Sequence, residues 1–268
     1  MLKIENLTKT FFPNTPNERR ALNKLNLTVN DGDFITILGS NGAGKSTLFN
    51  AIAGSFLCDS GKIILDDIDL TSMPEYKRAK YIGRLFQDPM RGSAPSMTIE
   101  ENLSMAYSRG NTPNFFKRNF SIGVKKADRE LFREALSQLG LGLEDRMDSK
   151  MGLLSGGQRQ AVTLLMTTIV TPKLLLLDEH TAALDPVTAQ KVLDITKNIV
   201  AEHNISTLMI THNIKSALKL GNRTIMMDSG EIIHNIDAEK KATMDVQSVM
   251  ELFSKDNSPL DNDRMLLS

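Results

Sequence analysis

The octapeptide Gly39-Ser40-Asn41-Gly42-Ala43-Gly44-Lys45-Ser46 is built for phosphate. Its glycines let consecutive backbone N–H groups point inward at anionic oxygens. Lys45 adds a mobile positive charge for the β and γ phosphates of a nucleotide. The Ser46 hydroxyl is a hard oxygen ligand suited to Mg2+. Residues from Lys45 onward, Thr47 included, read as a helix whose unpaired N–H groups and positive dipole end also favour an anion. A second feature, Asp178-Glu179, closes a run of leucines from Leu174 to Leu177. Open α/β sheets bind their ligands at the C-terminal tips of such buried strands. Adjacent residues of a strand point opposite ways, so the two acids are expected to do different jobs. Asp178 suits a water-mediated anchor for Mg2+, and Glu179 suits orienting and deprotonating an attacking water.

A third stretch, Leu153-Leu154-Ser155-Gly156-Gly157-Gln158, has no ionisable side chain. Ser155, Gly156, Gly157 and Gln158 look made to let a backbone come close to something.

The elements around these stretches follow from periodicity. Leu2-Lys3-Ile4-Glu5 and Leu25-Asn26-Leu27-Thr28-Val29 alternate as strands with one buried face, and Phe34 to Leu38 is apolar enough for a central strand buried on both faces. Helical patterns run from Lys45 to Ala53, stopped by Gly54, and from Pro186 to Val200. Thr207 to Ile210 reads as a strand, and Thr224 to Met227 with Glu231 to Ile233 as a hairpin. Between about residues 98 and 168 the signal is helical. Thr98 or Ser96 is the expected N-cap of one helix. Leu131, Phe132, Ala135, Leu136 and Leu139 form the expected apolar face of another. Residues 109–126, with Phe115, Phe116 and Phe120 among basic residues, read as a solvated insertion. The last 30 or so residues are weakly helical and end in a polar tail expected to be loosely packed. Strands alternating with helices predict a mainly parallel α/β sheet with a helical insertion.

Bulk properties narrow the class. Among 268 residues, 32 Lys and Arg balance 32 Asp and Glu, so no charge excess points to nucleic acid. The one cysteine, Cys58, excludes an internal disulfide framework. The N-terminal residues lack the apolar block of a signal peptide, and no stretch approaches the roughly 20 apolar residues of a bilayer span.

The order of these motifs resembles the ATPase subunits of ABC transporters. It comprises Gly39 to Ser46, Gln87 in Phe86-Gln87-Asp88-Pro89, Leu154 to Gln158, Leu174 to Glu179, Ala183-Leu184-Asp185, and His212. The resemblance implies a P-loop NTPase (RecA-like) α/β fold, with an N-terminal antiparallel β subdomain and an inserted helical subdomain at about 90–168. The ATPase domain would span 1–240, with a helical and polar tail at 241–268. It implies ATP and Mg2+ as cofactors and a head-to-tail pair of subunits enclosing two nucleotides. Ser155, Gly156, Gly157 and Gln158 would then face the nucleotide of the other subunit, which accounts for a motif without charge. Gln87 would reach Mg2+, His212 the γ-phosphate, and Asp185 the subunit interface. Phe11 would stack on adenine, with Phe12 as the next candidate.

His180 follows Glu179 where most relatives have proline; its ring is a candidate for tuning the pH profile, without a catalytic role. The loop from Asp88 to Met97 is where a separate transmembrane permease would dock. The implied function is ATP hydrolysis driving solute import at the cytoplasmic face of a membrane, with a solute-binding protein in the same system. The stretch from Phe86 to Leu103 with Leu174 to Asp185 is similar to bacterial subunits some of which are linked to amino-acid uptake, aromatic amino acids among the candidates. A single-domain assembly ATPase and a stand-alone exporter subunit are the alternatives.

Overall fold

The computed structural model describes residues 1–109, 124 and 126–255. The chain begins with strands β1 (Leu2–Phe11), β2 (Arg19–Val29) and β3 (Phe34–Gly39), helix α1 (Lys45–Ala53), and strands β4 (Ser60–Leu65) and β5 (Ile68–Asp69). A short helix α2 (Glu75–Arg78) and strand β6 (Ile82–Leu85) precede helices α3 (Ile99–Ser108), α4 (Lys126–Ser137) and α5 (Gly156–Thr168). Strand β7 (Leu174–Asp178), helix α6 (Pro186–Glu202), strand β8 (Ser206–Ile210) and helix α7 (Ile214–Lys219) follow. Strands β9 (Arg223–Asp228) and β10 (Glu231–Ile236) and helices α8 (Ala238–Thr243) and α9 (Val246–Lys255) complete it.

These elements fall into two compact units, one of Met1–Ile82, Leu174–Glu179 and Asn204–Ser268, the other of Gly83–Lys173 and His180–His203. The first holds an antiparallel sheet in the order β2-β1-β4-β5. The second sheet has the order β10-β9-β3-β8-β7-β6, parallel from β9 to β7 with the β9–β10 hairpin antiparallel at its edge. Every residue of β3 and β8 is buried, as are the four leucines of β7. A strand covered on both faces has no polar side to display, which is why these sequences are mostly apolar rather than alternating. The hydroxyls of the buried Thr36, Ser206 and Thr207 donate to main-chain carbonyls. β1 instead alternates, sending Leu2, Ile4 and Leu7 into a core shared with Leu48, Phe49, Leu176 and Leu208.

The loop that ends β3 needs a firm helix behind it. α1 closes at Gly54, whose N–H bonds to the Asn50 carbonyl. The next carbonyls, Ala51 and Ile52, receive Nη1 of the buried Arg78 at 2.8 and 2.9 Å. A cation therefore fills the C-terminal end of the helix, where carbonyls lack helical partners.

The C-terminal helices pack more firmly than their weak patterning suggested. Val249 and Phe253 are fully buried against Ile214, Ala217 and Met226, and the Lys241 ammonium donates to the Leu220 and Gly221 carbonyls beyond α7. The polar tail lies outside the described residues, as does nearly all of the insertion read at 109–126.

In the second unit, Thr98 rather than Ser96 caps α3 through a reciprocal capping box with Glu101. α4 buries Phe132 and Leu136, with Leu139 just beyond it, but Leu131 is 39 % exposed, so the apolar face is narrower than expected. No helix among the described residues is long and apolar enough to cross a membrane.

Candidate active site

The glycine-rich octapeptide is the turn between the end of β3 at Gly39 and the start of α1 at Lys45. Gly44 caps that helix with φ of 100°, and a Cβ there would stand 2.5 Å from the Ala21 carbonyl oxygen. Only glycine accepts both the angle and the space. Lys45 is 5 % exposed; its Nζ donates to the carbonyl oxygens of Gly39 at 2.7 Å and Ser40 at 2.9 Å. Burial lowers its pKa, and the charges of Glu179 and Asp178 oppose that shift. A buried ammonium bonded to neutral carbonyls is a ready partner for an anion, which makes the stronger charge-assisted bond.

Beside the loop opens a cleft of about 220 Å³. Asn41, Gly42, Gly44, Lys45, Ser46 and Thr47 line it from the loop and helix, with Phe11, Arg19 and Ala21 from the first two strands and Glu179 and His212 from the β7 and β8 ends. Gly39, Ser40 and Ala43 are not among its walls: the first two turn carbonyls to Lys45, and Ala43 is 2 % exposed. Phe11 meets Phe56 edge-on with 5.5 Å between ring centroids, whereas Phe12 is 67 % exposed and outside the cleft.

Glu179 departs from the strand geometry that the sequence suggested. Asp178 is the last residue of β7; Glu179 takes φ of 46°, and its N–H is bonded to the Ile210 carbonyl at 3.1 Å. A left-handed backbone is uncommon outside glycine, and such residues concentrate at functional sites. The turn brings Glu179 Oε1 to 2.6 Å from His212 Nε2. The imidazole N–H donates to the carboxylate, fixing its direction at the cleft wall and leaving its other oxygen for a second partner.

The residues fit Mg2+ with a nucleotide. Ser46 offers a hydroxyl in the cleft, and Asp178, outside the cleft's walls, ends β7, which β8 separates from β3 in the sheet. Among the described residues no cluster of His, Cys, Asp and Glu forms an all-protein metal cage. Mg2+ suits such a sparse set, since it keeps several waters and takes further ligands from phosphates.

The second unit holds the remaining predicted residues. Ser155 caps α5: its hydroxyl accepts the Gln158 N–H at 3.3 Å, and the Gln158 side chain accepts the Ser155 N–H at 3.2 Å. Ser155 and Gly156 are exposed, while Gly157 is buried, where a Cβ would stand 2.1 Å from Thr188 Cγ2. Gly157 thus has a packing reason inside its own chain, besides any approach of a phosphate. Arg159 ties the preceding turn together, donating to the carbonyls of Gly152 at 3.0 Å and Leu154 at 2.8 Å. Asp185 caps α6 through the Thr188 N–H at 3.1 Å. Gln87 is exposed ahead of a short turn, Pro89–Gly92, capped by Asp88.

Sequence reasoning missed Arg19 in the cleft and Arg159 behind the Ser155 turn. Neither stands in a motif that announces its role. Arg19 acquires its place only from the pairing of β1 with β2, which sets it opposite Phe11.

Residues 22–182 match the ABC transporter family model. The chain belongs to that family. It is 44 % identical over 254 residues to a tyrosine transport ATP-binding protein of Clostridioides difficile (strain R20291), covering 94 % of this chain and 98 % of that one. It is 32 % identical over 254 residues to an energy-coupling factor transporter ATP-binding protein of Clostridium tetani (strain Massachusetts / E88), covering 93 % and 83 %. An ATP-binding cassette solved as a dimeric post-hydrolysis state with ADP and Pi matches with a TM-score of 0.73 at 28 % identity, over 89 % of this chain and 99 % of that one. This ABC subunit is an ATPase on a P-loop NTPase fold and uses ATP with Mg2+.

Proposed function

We propose that this subunit drives import of an amino-acid-like solute, tyrosine or a related compound, through a separate permease. The observation that carries the reading is the 44 % identity to a tyrosine transport ATP-binding protein over nearly the whole of both chains. Residues 1–240 form the ATPase domain and 241–268 a C-terminal extension. Two copies, or one copy and a paired subunit, join head to tail at the cytoplasmic face of the membrane. A permease docks at residues 88–97, and a solute-binding protein delivers the solute.

Within this reading Lys45 and the loop N–H groups hold the phosphate chain, and Phe11 stacks on the base. Ser46, Gln87 and Asp178 hold Mg2+, which when bound shields the phosphate charge. Glu179 takes the proton of the attacking water, and His212 holds the Glu179 carboxylate in place. Ser155, Gly156, Gly157 and Gln158 complete the nucleotide site of the partner subunit, and Asp185 couples the two sites. Support for the base comes from the 2.6 Å contact between His212 and Glu179 at the cleft wall.

Affinity purification from detergent-solubilised membranes tests the reading. A polytopic permease is expected to co-purify, together with a binding protein whose ligand is an amino acid. Recovery of soluble assembly proteins and no membrane protein would leave the ATPase chemistry standing and remove the transport role.

A further inference from the structure

Arg19 begins β2 and pairs directly with Phe11 across the β1–β2 ladder. Its Nη2 donates to the Gly42 carbonyl oxygen at 2.7 Å, and a Cβ on Gly42 would stand 2.5 Å from that nitrogen. The bare backbone at 42 is therefore what lets the guanidinium lie against the loop. The cation over the Phe11 ring is Lys9, with Nζ 5.6 Å from the centroid. Arg19 is turned instead to the phosphate-binding loop, in the cleft that also holds Lys45, Ser46 and Thr47.

The two cations of this cleft differ in setting. Lys45 is buried and bonded to two carbonyls, whereas Arg19 is exposed on a long, flexible side chain. A guanidinium carries five N–H donors in a planar fork that matches phosphate oxygens. Its bond to Gly42 occupies one nitrogen and a neutral acceptor. A phosphate oxygen is the better acceptor by its charge.

We infer that Arg19 is a second cationic ligand of the bound nucleotide, passing from the Gly42 carbonyl to the phosphate chain when ATP enters. This inference rests on the reading of the cleft as the ATP site. Two variants separate charge from scaffolding. Arg19→Gln keeps an N–H that can bond the Gly42 carbonyl and removes the charge; Arg19→Lys keeps the charge.

The test is calorimetric titration of wild-type chain and both variants with ATP and with adenosine, at low and high salt, alongside melting of the nucleotide-free proteins. Arg19→Gln is expected to weaken ATP binding about tenfold, the scale of one charge-assisted hydrogen bond. It should leave adenosine affinity and melting unchanged, and make ATP binding less sensitive to salt. Arg19→Lys should stay within about threefold of wild type. ATP binding by Arg19→Gln equal to wild type, with the same salt response, would overturn the inference. So would equal losses for ATP and adenosine with a lowered melting temperature, which would make Arg19 a strut for the loop. A wild-type chain that binds no ATP would instead overturn the reading of the cleft.

Discussion

Arg78 offers a strong test of how the phosphate loop is supported. It is 1 % exposed, and its guanidinium donates to four main-chain carbonyls: Ala51 and Ile52 through Nη1, Met73 through Nε at 2.7 Å, and Thr71 through Nη2 at 3.3 Å. Burial lowers its pKa, yet arginine stays protonated across the accessible range. Replacing it with methionine keeps an aliphatic stem and removes every donor. Hydrogen bonds to a charged group are each worth about 1.5–3 kcal/mol, and relief from burying the charge offsets part of their loss. A net destabilisation of about 3–5 kcal/mol follows, since four carbonyls lose their donor at about 1–3 kcal/mol for each one left buried and unsatisfied, less the relief from no longer burying the charge. At about 2–4 °C per kcal/mol for a chain of this size, the melting temperature should fall by about 10 °C. Circular dichroism with thermal and urea unfolding reads this directly. Arg78→Lys should fall between the two, because one ammonium cannot reach four carbonyls in that geometry. Melting of Arg78→Met within about 2 °C of wild type would refute the reasoning.

His180 gives a pH prediction. It is 2 % exposed, burial pushes its pKa down to about 4, and its Nε2 lies 3.2 Å from Thr196 Oγ1. That hydroxyl already donates to the Val192 carbonyl at 2.8 Å, so the imidazole donates from Nε2 and its buried Nδ1 has no hydrogen-bond partner among the described residues. A folded-state pKa below the unfolded value of about 6.5 means the unfolded chain binds more protons between pH 4 and 6.5. Stability is therefore full above about pH 6.5 and declines as pH falls toward 4, by about 3 kcal/mol from this group. His180→Gln should flatten that limb in unfolding measured across pH, and an unchanged slope would contradict the assignment. The same neutrality means that His180 does not tune activity near pH 7. For Gly157, a Cβ 2.1 Å from Thr188 Cγ2 predicts that Gly157→Ala destabilises the chain by about 1–3 kcal/mol. Adding Thr188→Ala should restore most of the loss; a double variant no more stable than Gly157→Ala would show that the clash is not the cause.

Much of the site was legible because its signals are local. The loop from Gly39 to Ser46 needs only a buried strand before it and a helix after it, and both are written in adjacent residues. β7 was legible as a leucine run for the same reason. What was not legible depends on pairing and packing across long separations. The left-handed turn at Glu179 is held by Ile210, thirty-one positions later, and alternation along an extended strand gave no sign of it. Arg19 reaches the cleft through the β1–β2 register, which contains several irregularities between Ile4 and Thr10. Gly157 reads as an invitation to a phosphate until Thr188 is seen beneath it. Val249 and Phe253 look weakly patterned in a short helix and become core only against Ile214 and Met226.

The most direct test of the account is ATP binding and hydrolysis by Glu179→Gln. The amide keeps an oxygen that can accept from His212 Nε2, now 2.6 Å from Glu179 Oε1, so the wall of the cleft should keep its shape. Lys45 and the loop are untouched, so ATP affinity should match wild type within about twofold. Removing the base should lower hydrolysis by about 10²–10⁴-fold. Retained affinity with near-complete loss of turnover is the predicted result. Turnover equal to wild type would show that the water loses its proton elsewhere, and the assignment of Glu179 would fall.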